Sequence, residues 1–212
     1  KESICHGLKT CVANKERIVC GGAAIRALLE QHNARLYPVD SEHSAIFQCL
    51  EGNRDKEIRR ILLTCSGGPF RTWEKGEIAK ATVEQAIKHP KWNMGTKISI
   101  DSATLANKGL EVLEARWLFD IPVEQVEVVV HPESIVHSMV EYQDRSILAQ
   151  MGVPDMKLPI QVALGYPNRL HQGPEAVDFV TLGSLHFESP DTERFPCLAL
   201  AYEAGRQGGM SP

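Results

Sequence analysis

Apolar and polar positions fall into short blocks separated by turn residues, and the blocks predict alternating strands and helices. Residues 8–13 form a short apolar stretch, residues 23–31 have helical composition, and residues 34–39 are apolar again. Strand, helix, strand in that order favours a parallel α/β arrangement. Residues 58–64 predict a buried strand that stops abruptly at Cys65-Ser66-Gly67-Gly68-Pro69. Residues 82–89 predict a helix that Pro90 ends, since proline cannot continue the ladder. A short strand is expected at 97–100, running directly into a helix from about 103 to 119. Further strands are expected at 126–130 and 147–150, with a turn at Gln143-Asp144-Arg145. From Leu158 onward Pro159, Gly165, Pro167, Gly173 and Pro174 mark a connecting segment, and a last helical stretch covers about 197–205. The fold class expected is α/β, a mostly parallel open sheet flanked by helices.

Composition narrows the function. Of 212 residues 43% are hydrophobic and 24% charged, ordinary values for a globular chain with a real core. A formal net charge of −4 gives no polyanion-binding surface, so no nucleic-acid partner is expected. No apolar run approaches a membrane span, and the first residues carry no secretory signal pattern. Six cysteines occur without a C-x-x-C pair, several inside apolar runs, which predicts buried reduced thiols rather than zinc or disulfides.

Three constellations could carry chemistry. In Pro38-Val39-Asp40-Ser41-Glu42-His43, residues 40 and 42 share one side of an extended backbone, where two carboxylates can converge on a hard cation such as Mg²⁺ or Mn²⁺. The same residues fit an N-cap for a helix over about 44–50. The Ser66-Gly67-Gly68 loop after a strand offers a hydroxyl and backbone N–H groups to an anion, or is an ordinary glycine turn. Asp101 or Ser102 is a candidate cap for the following helix, on which Asn107, Glu111 and Glu114 share a face with Lys108 beside it. That helix could equally be an exposed polar stripe. Residues 89–95 read as a loop that could act as a lid, and His131 reads as structural.

These motifs, taken with Asn14-Lys15-Glu16, Glu114-Ala115-Arg116-Trp117-Leu118-Phe119 and His131-Pro132-Glu133-Ser134-Ile135-Val136-His137, form one ordered series. The series resembles the 1-deoxy-D-xylulose 5-phosphate reductoisomerases from about Thr10 to the end of the chain. The resemblance implies that Asp40, Glu42 and Glu111 hold Mg²⁺ or Mn²⁺, and that Ser66, Ser102, Asn107 and Lys108 bind the substrate phosphate. It implies that Lys15, Ser41, Glu42, His89 and Glu111 contact the rest of the sugar phosphate, with Lys15, Glu42, His89 and His137 in catalytic roles. Asn14, Glu16 and Gly95 would lie near NADPH, and Trp92 and Met94 would close over the ligand as part of the lid.

The implied reaction rearranges 1-deoxy-D-xylulose 5-phosphate with the metal as Lewis acid and then reduces it with NADPH to 2-C-methyl-D-erythritol 4-phosphate. The implied organisation is the tail of a Rossmann-like domain over 1–39, a catalytic domain over 40–165, a connection over 166–191 and the start of a helical domain over 192–212. A homodimer in bacterial cytoplasm or plastid stroma is expected. No glycine-rich dinucleotide fingerprint follows a strand, so the chain is expected to be a piece of a longer enzyme without turnover of its own. A metal-dependent phosphatase or aldolase would use the same groups without NADPH.

Overall fold

The computed structural model describes residues 2–53, 57–92 and 94–208. Asn93, within the expected lid, lies outside the described residues. The first elements are α1 (Glu2–Cys5), β1 (Thr10–Val12), α2 (Lys15–His32) and β2 (Leu36–Pro38). β1 and β2 pair in parallel with α2 as the crossover, which is the strand–helix–strand unit that the opening pattern predicts. Asn14 caps α2, its side chain accepting from Arg17 N at 3.2 Å. Asn33 ends α2 in the left-handed conformation, a role asparagine tolerates.

After α3 (Ser41–Leu50) the chain builds a four-stranded sheet in the order β4-β3-β5-β6, from β3 (Ile58–Cys65), β4 (Val126–Val130), β5 (Val136–Tyr142) and β6 (Ile147–Met151). The sheet is mixed, where mostly parallel pairing was expected: β3 and β4 are parallel, while β3–β5 and β5–β6 are antiparallel. The expected turn at 143–145 accounts for the second of these antiparallel pairings. Arg145 N donates to Tyr142 O at 3.0 Å and Arg145 takes φ 74°, so β6 folds straight back as a hairpin. In β3 the side chains of Ile61 and Leu63 are wholly buried, each worth about 1.5–3 kcal/mol in transfer from water.

Between β3 and β4 lie α4 (Lys75–Ile78), α5 (Val83–Ala86), α6 (Thr96–Ala103) and α7 (Ala106–Phe119); α8 (Lys157–Gly165), α9 (Phe179–Leu182) and α10 (Pro196–Gln207) follow the sheet. Three expectations are corrected here. Residues 97–100 are helical, not a strand. The Lys-Ile-Ser-Ile run is too short to decide between periods, and Lys97 pairs with Asp101 one turn on at 2.6 Å. The expected helix from 103 to 119 is broken at Leu105, whose φ of 58° separates α6 from α7. The segment after Leu158 begins with a helix, α8. Pro159 sits in its first turn, where a missing N–H has no helical acceptor to lose.

α7 is the structural axis of the site. It packs against α2 and α10. A Cβ on Gly22 would fall 2.2 Å from the Trp117 ring, so only glycine lets α2 approach α7 this closely. That approach carries Lys15, at the start of α2, to the polar face of α7.

Candidate active site

The residues singled out in the sequence converge on one cavity of about 340 Å³ at the end of β3. Asp40, Glu42 and Glu111 bring carboxylate oxygens within 4.8 Å of one another. The convergence has a different origin from the extended-strand geometry expected. Asp40 is the N-cap of α3, accepting from Glu42 N at 3.3 Å, and Glu42 lies in the first helical turn. Cap and metal-ligand geometry therefore coexist. Glu111 enters from α7, one turn after Asn107.

Two ammonium groups sit among these carboxylates. Lys15 Nζ donates to Asp40 Oδ2 at 2.7 Å, Glu111 Oε1 at 3.0 Å and Asn107 Oδ1 at 2.7 Å. Lys108 Nζ donates to Glu42 Oε1 at 2.7 Å and Glu111 Oε2 at 2.5 Å. Burial works against both charges, but the carboxylates prevail and raise both lysines above their usual range. Lys15 is thus a fixed cation rather than a proton acceptor. Burial and the adjacent Glu111 push Glu42 up to about 7, against the pull of Lys108. Burial also acts to raise Asp40, but Lys15 and His43 hold it well below the usual carboxylate range.

Behind the triad lies a second layer, formed by His43 and Glu114. His43 is wholly buried, with Nε2 3.0 Å from Glu111 O and Nδ1 3.3 Å from Glu114 Oε2 and 3.5 Å from Asp40 Oδ1. Burial disfavours its charge, yet Glu114 and Asp40 push His43 up to about 9. Burial pushes Glu114 up to about 7, against the His43 charge. Helical spacing placed Glu114 on the same face as Glu111, and the i+3 step from Asp40 to His43 was the available signal for the histidine.

The other end of the cavity is a set of hydroxyl and amide groups. Gly67 and Gly68 have φ of 83° and 70°, and a Cβ on Gly68 would lie 2.6 Å from Ser102 O. Glycine there lets the Ser66 loop touch the end of α6. Ser102 lies in the last turn of α6 rather than capping a helix N-terminus, and Asp101 is engaged by Lys97. His89 Nδ1 accepts from Lys91 N and Trp92 N at 3.2 and 2.9 Å, so its proton is on Nε2, donated to Ser66 Oγ at 2.9 Å. Ser66 Oγ also accepts from Gly68 N at 3.2 Å. Its own hydrogen remains for an anion in the cavity. Burial lowers His89 and His137 below the usual histidine value, so both are neutral at pH 7.

Lys15, Ser41, Ser66, His89, Trp92, Met94, Gly95, Ser102, Asn107, Lys108 and His137 all line this cavity with the triad. Asn14 and Glu16 are not among the lining residues: the first caps α2 and the second pairs with Lys97 at 2.8 Å. Ile98, Ser134, Val136 and Met156 line it without having been anticipated. His131 is satisfied structurally, as expected, with Nδ1 donating to His186 O and Nε2 accepting from Ile135 N.

Fold and site together define an α/β protein whose pocket has the donor set for a hard divalent cation at one end and an oxyanion at the other. Residues 36–119 match the family description "1-deoxy-D-xylulose 5-phosphate reductoisomerase C-terminal domain", and residues 151–212 match "DXP reductoisomerase C-terminal domain". A reductoisomerase of Chloroherpeton thalassium is 57% identical over 211 residues, covering 100% of this chain and 54% of that protein. The Zymomonas mobilis reductoisomerase solved with NADPH aligns with a TM-score of 0.92 at 50% identity, over 99% of this chain and 54% of that one. A DOX-P reductoisomerase solved with NADPH, fosmidomycin and magnesium gives 0.92 at 45% identity, over 97% and 53%. The chain belongs to the 1-deoxy-D-xylulose 5-phosphate reductoisomerase family, and it spans about half the length of the curated relatives it matches.

Proposed function

We propose that this chain forms the metal- and substrate-binding part of an enzyme that converts 1-deoxy-D-xylulose 5-phosphate to 2-C-methyl-D-erythritol 4-phosphate with NADPH. The observation that carries the reading is the convergence of Asp40, Glu42 and Glu111 with Ser66, Ser102, Asn107 and Lys108 in one cavity. Three carboxylates and no thiolate suit Mg²⁺ or Mn²⁺. The ion, when bound, supplies Lewis acidity toward the ketone and neighbouring hydroxyl. The chain's own groups hold and orient the ligand. Lys108, which also donates to Glu42 and Glu111, and the free Ser66 hydrogen are assigned to the phosphate, Lys15 keeps its charge beside the carbon skeleton, and Trp92 and Met94 exclude water. Gly95 and the first turn of α2 are assigned to the NADPH side. A phosphatase or aldolase reading would leave the family likeness without explanation.

The test is calorimetric titration of fosmidomycin, a phosphonate, into the chain with Mn²⁺ present. Binding is expected, and Lys108→Ala should weaken it by about 1.5–3 kcal/mol, the scale of a hydrogen bond to a charged group. Equal affinity in wild type and variant places the anion elsewhere.

A symmetric dimer belongs to the same reading. β6 is an edge strand of the sheet, and Ile147 and Leu148 on it are 49% and 42% exposed. A second copy is the partner such a strand fits. Light scattering at micromolar concentration should report twice the chain mass, and a monomer carrying an intact fold removes this part of the proposal.

A further inference from the structure

Ser134 stands in the turn between β4 and β5 and combines two unfavourable features. Its φ of 56° lies in the left-handed region, where a side chain other than glycine is strained. Its hydroxyl is buried, and Oγ has no hydrogen-bond partner among the described residues. The turn needs neither feature to close. Ser134 N donates to His131 O at 3.1 Å, and Ile135 N donates to His131 Nε2 at 3.2 Å. Glycine would accept the same backbone without strain and would leave no orphaned hydroxyl. A strained residue carrying an unpaired buried group points to function when it forms the wall of a pocket.

Ser134 lines the cavity described above. His131 N donates to Cys65 O at 2.7 Å, which fixes this turn beside the strand end that leads into the Ser66 loop. The orphaned hydroxyl therefore sits in the cavity wall beside the end of β3, where the Ser66 loop begins. His137, three residues on, has no hydrogen-bond partner for its buried Nε2 among the described residues, in the same wall.

We propose that Ser134 is a further ligand-binding residue, its hydroxyl donating to an oxygen of the phosphate or phosphonate that Ser66, Ser102, Asn107 and Lys108 hold. The inference rests on the sugar-phosphate reading of the cavity. Ser134 adds a neutral donor on the β4–β5 side of the anion, facing the charged donor that α7 provides.

The experiment titrates fosmidomycin with Mn²⁺ into the wild-type chain, Ser134→Gly and Ser134→Ala, with a thermal melt of each protein. Both variants should bind about tenfold more weakly or worse, the effect of removing one hydrogen bond to a charged group. Ser134→Gly should at the same time melt at or above the wild-type temperature, since strain and orphan are both removed. Affinity unchanged in both variants, with the wild type binding, overturns the inference and leaves the cavity reading intact. Weaker binding accompanied by a lower melting temperature in both variants also overturns it, because the hydroxyl then serves the fold. No binding by the wild type removes the cavity reading and this inference with it.

Discussion

Glu111→Gln should abolish divalent-metal binding, weakening Mn²⁺ at least about 100-fold by calorimetry, with Asp40→Asn close behind. Glu111 is only 1% exposed and offers one oxygen to each lysine, so it stands at the centre of the site. The amide keeps shape and volume but removes the charge that a hard cation selects. It also leaves Lys15 and Lys108 with less compensation, at a cost of several kcal/mol for a buried unpaired charge. The melt should therefore fall with the affinity. Glu114→Gln separates this site from the neighbouring Asp40, His43 and Glu114 group, since Glu114 faces His43 rather than the cavity. Wild-type Mn²⁺ affinity in both Glu111→Gln and Asp40→Asn would remove the metal assignment.

The metal-free protein should lose about 3 kcal/mol of stability between pH 5 and pH 9, a fall of several degrees in melting temperature. Burial raises Glu42 and Glu114 from 4.5 to about 7, so the folded state binds more protons than the unfolded chain in that interval. Their contribution is complete below about 4.5 and is lost as pH rises through 7. His43, raised to about 9 against burial by Glu114 and Asp40, contributes fully below 6.5 and loses that contribution through pH 9. All three act in one direction, and shared neighbours keep the total below their sum. Asp40, held low by Lys15 and His43, acts oppositely only at strongly acid pH, and His89 and His137, lowered by burial, offset part of the fall below about 6.5. Melts in EDTA at pH 5.5, 7 and 8.5 check the slope, and a flat or rising series contradicts it. Added Mn²⁺ should flatten the profile, because metal binding requires deprotonated carboxylates.

The parts of the site readable in the sequence were those whose chemistry is local. Asp40 and Glu42 stand two apart, and Asn107, Glu111 and Glu114 follow helical spacing, so their side chains had to share a region. What brings the two groups together was not local. It depends on Gly22 accepting the Trp117 ring and on Gly68 accepting the Ser102 carbonyl. β5 escaped notice because it is buried on both faces. Its His137, Ser138 and Glu141 lie inside, and the apolar–polar alternation that marks a half-exposed strand is missing. The break at Leu105 gave no signal, since nothing marks a leucine for the left-handed region. Ser134 was invisible for the same reason.

The two lysines have one more consequence. Lys15 and Lys108 pair with all three carboxylates of the triad, so those carboxylates do not form a bare anionic hole. A divalent ion and a phosphate that drew on these shared lysines and carboxylates would be heterotropically linked, each changing the affinity of the other by the same factor.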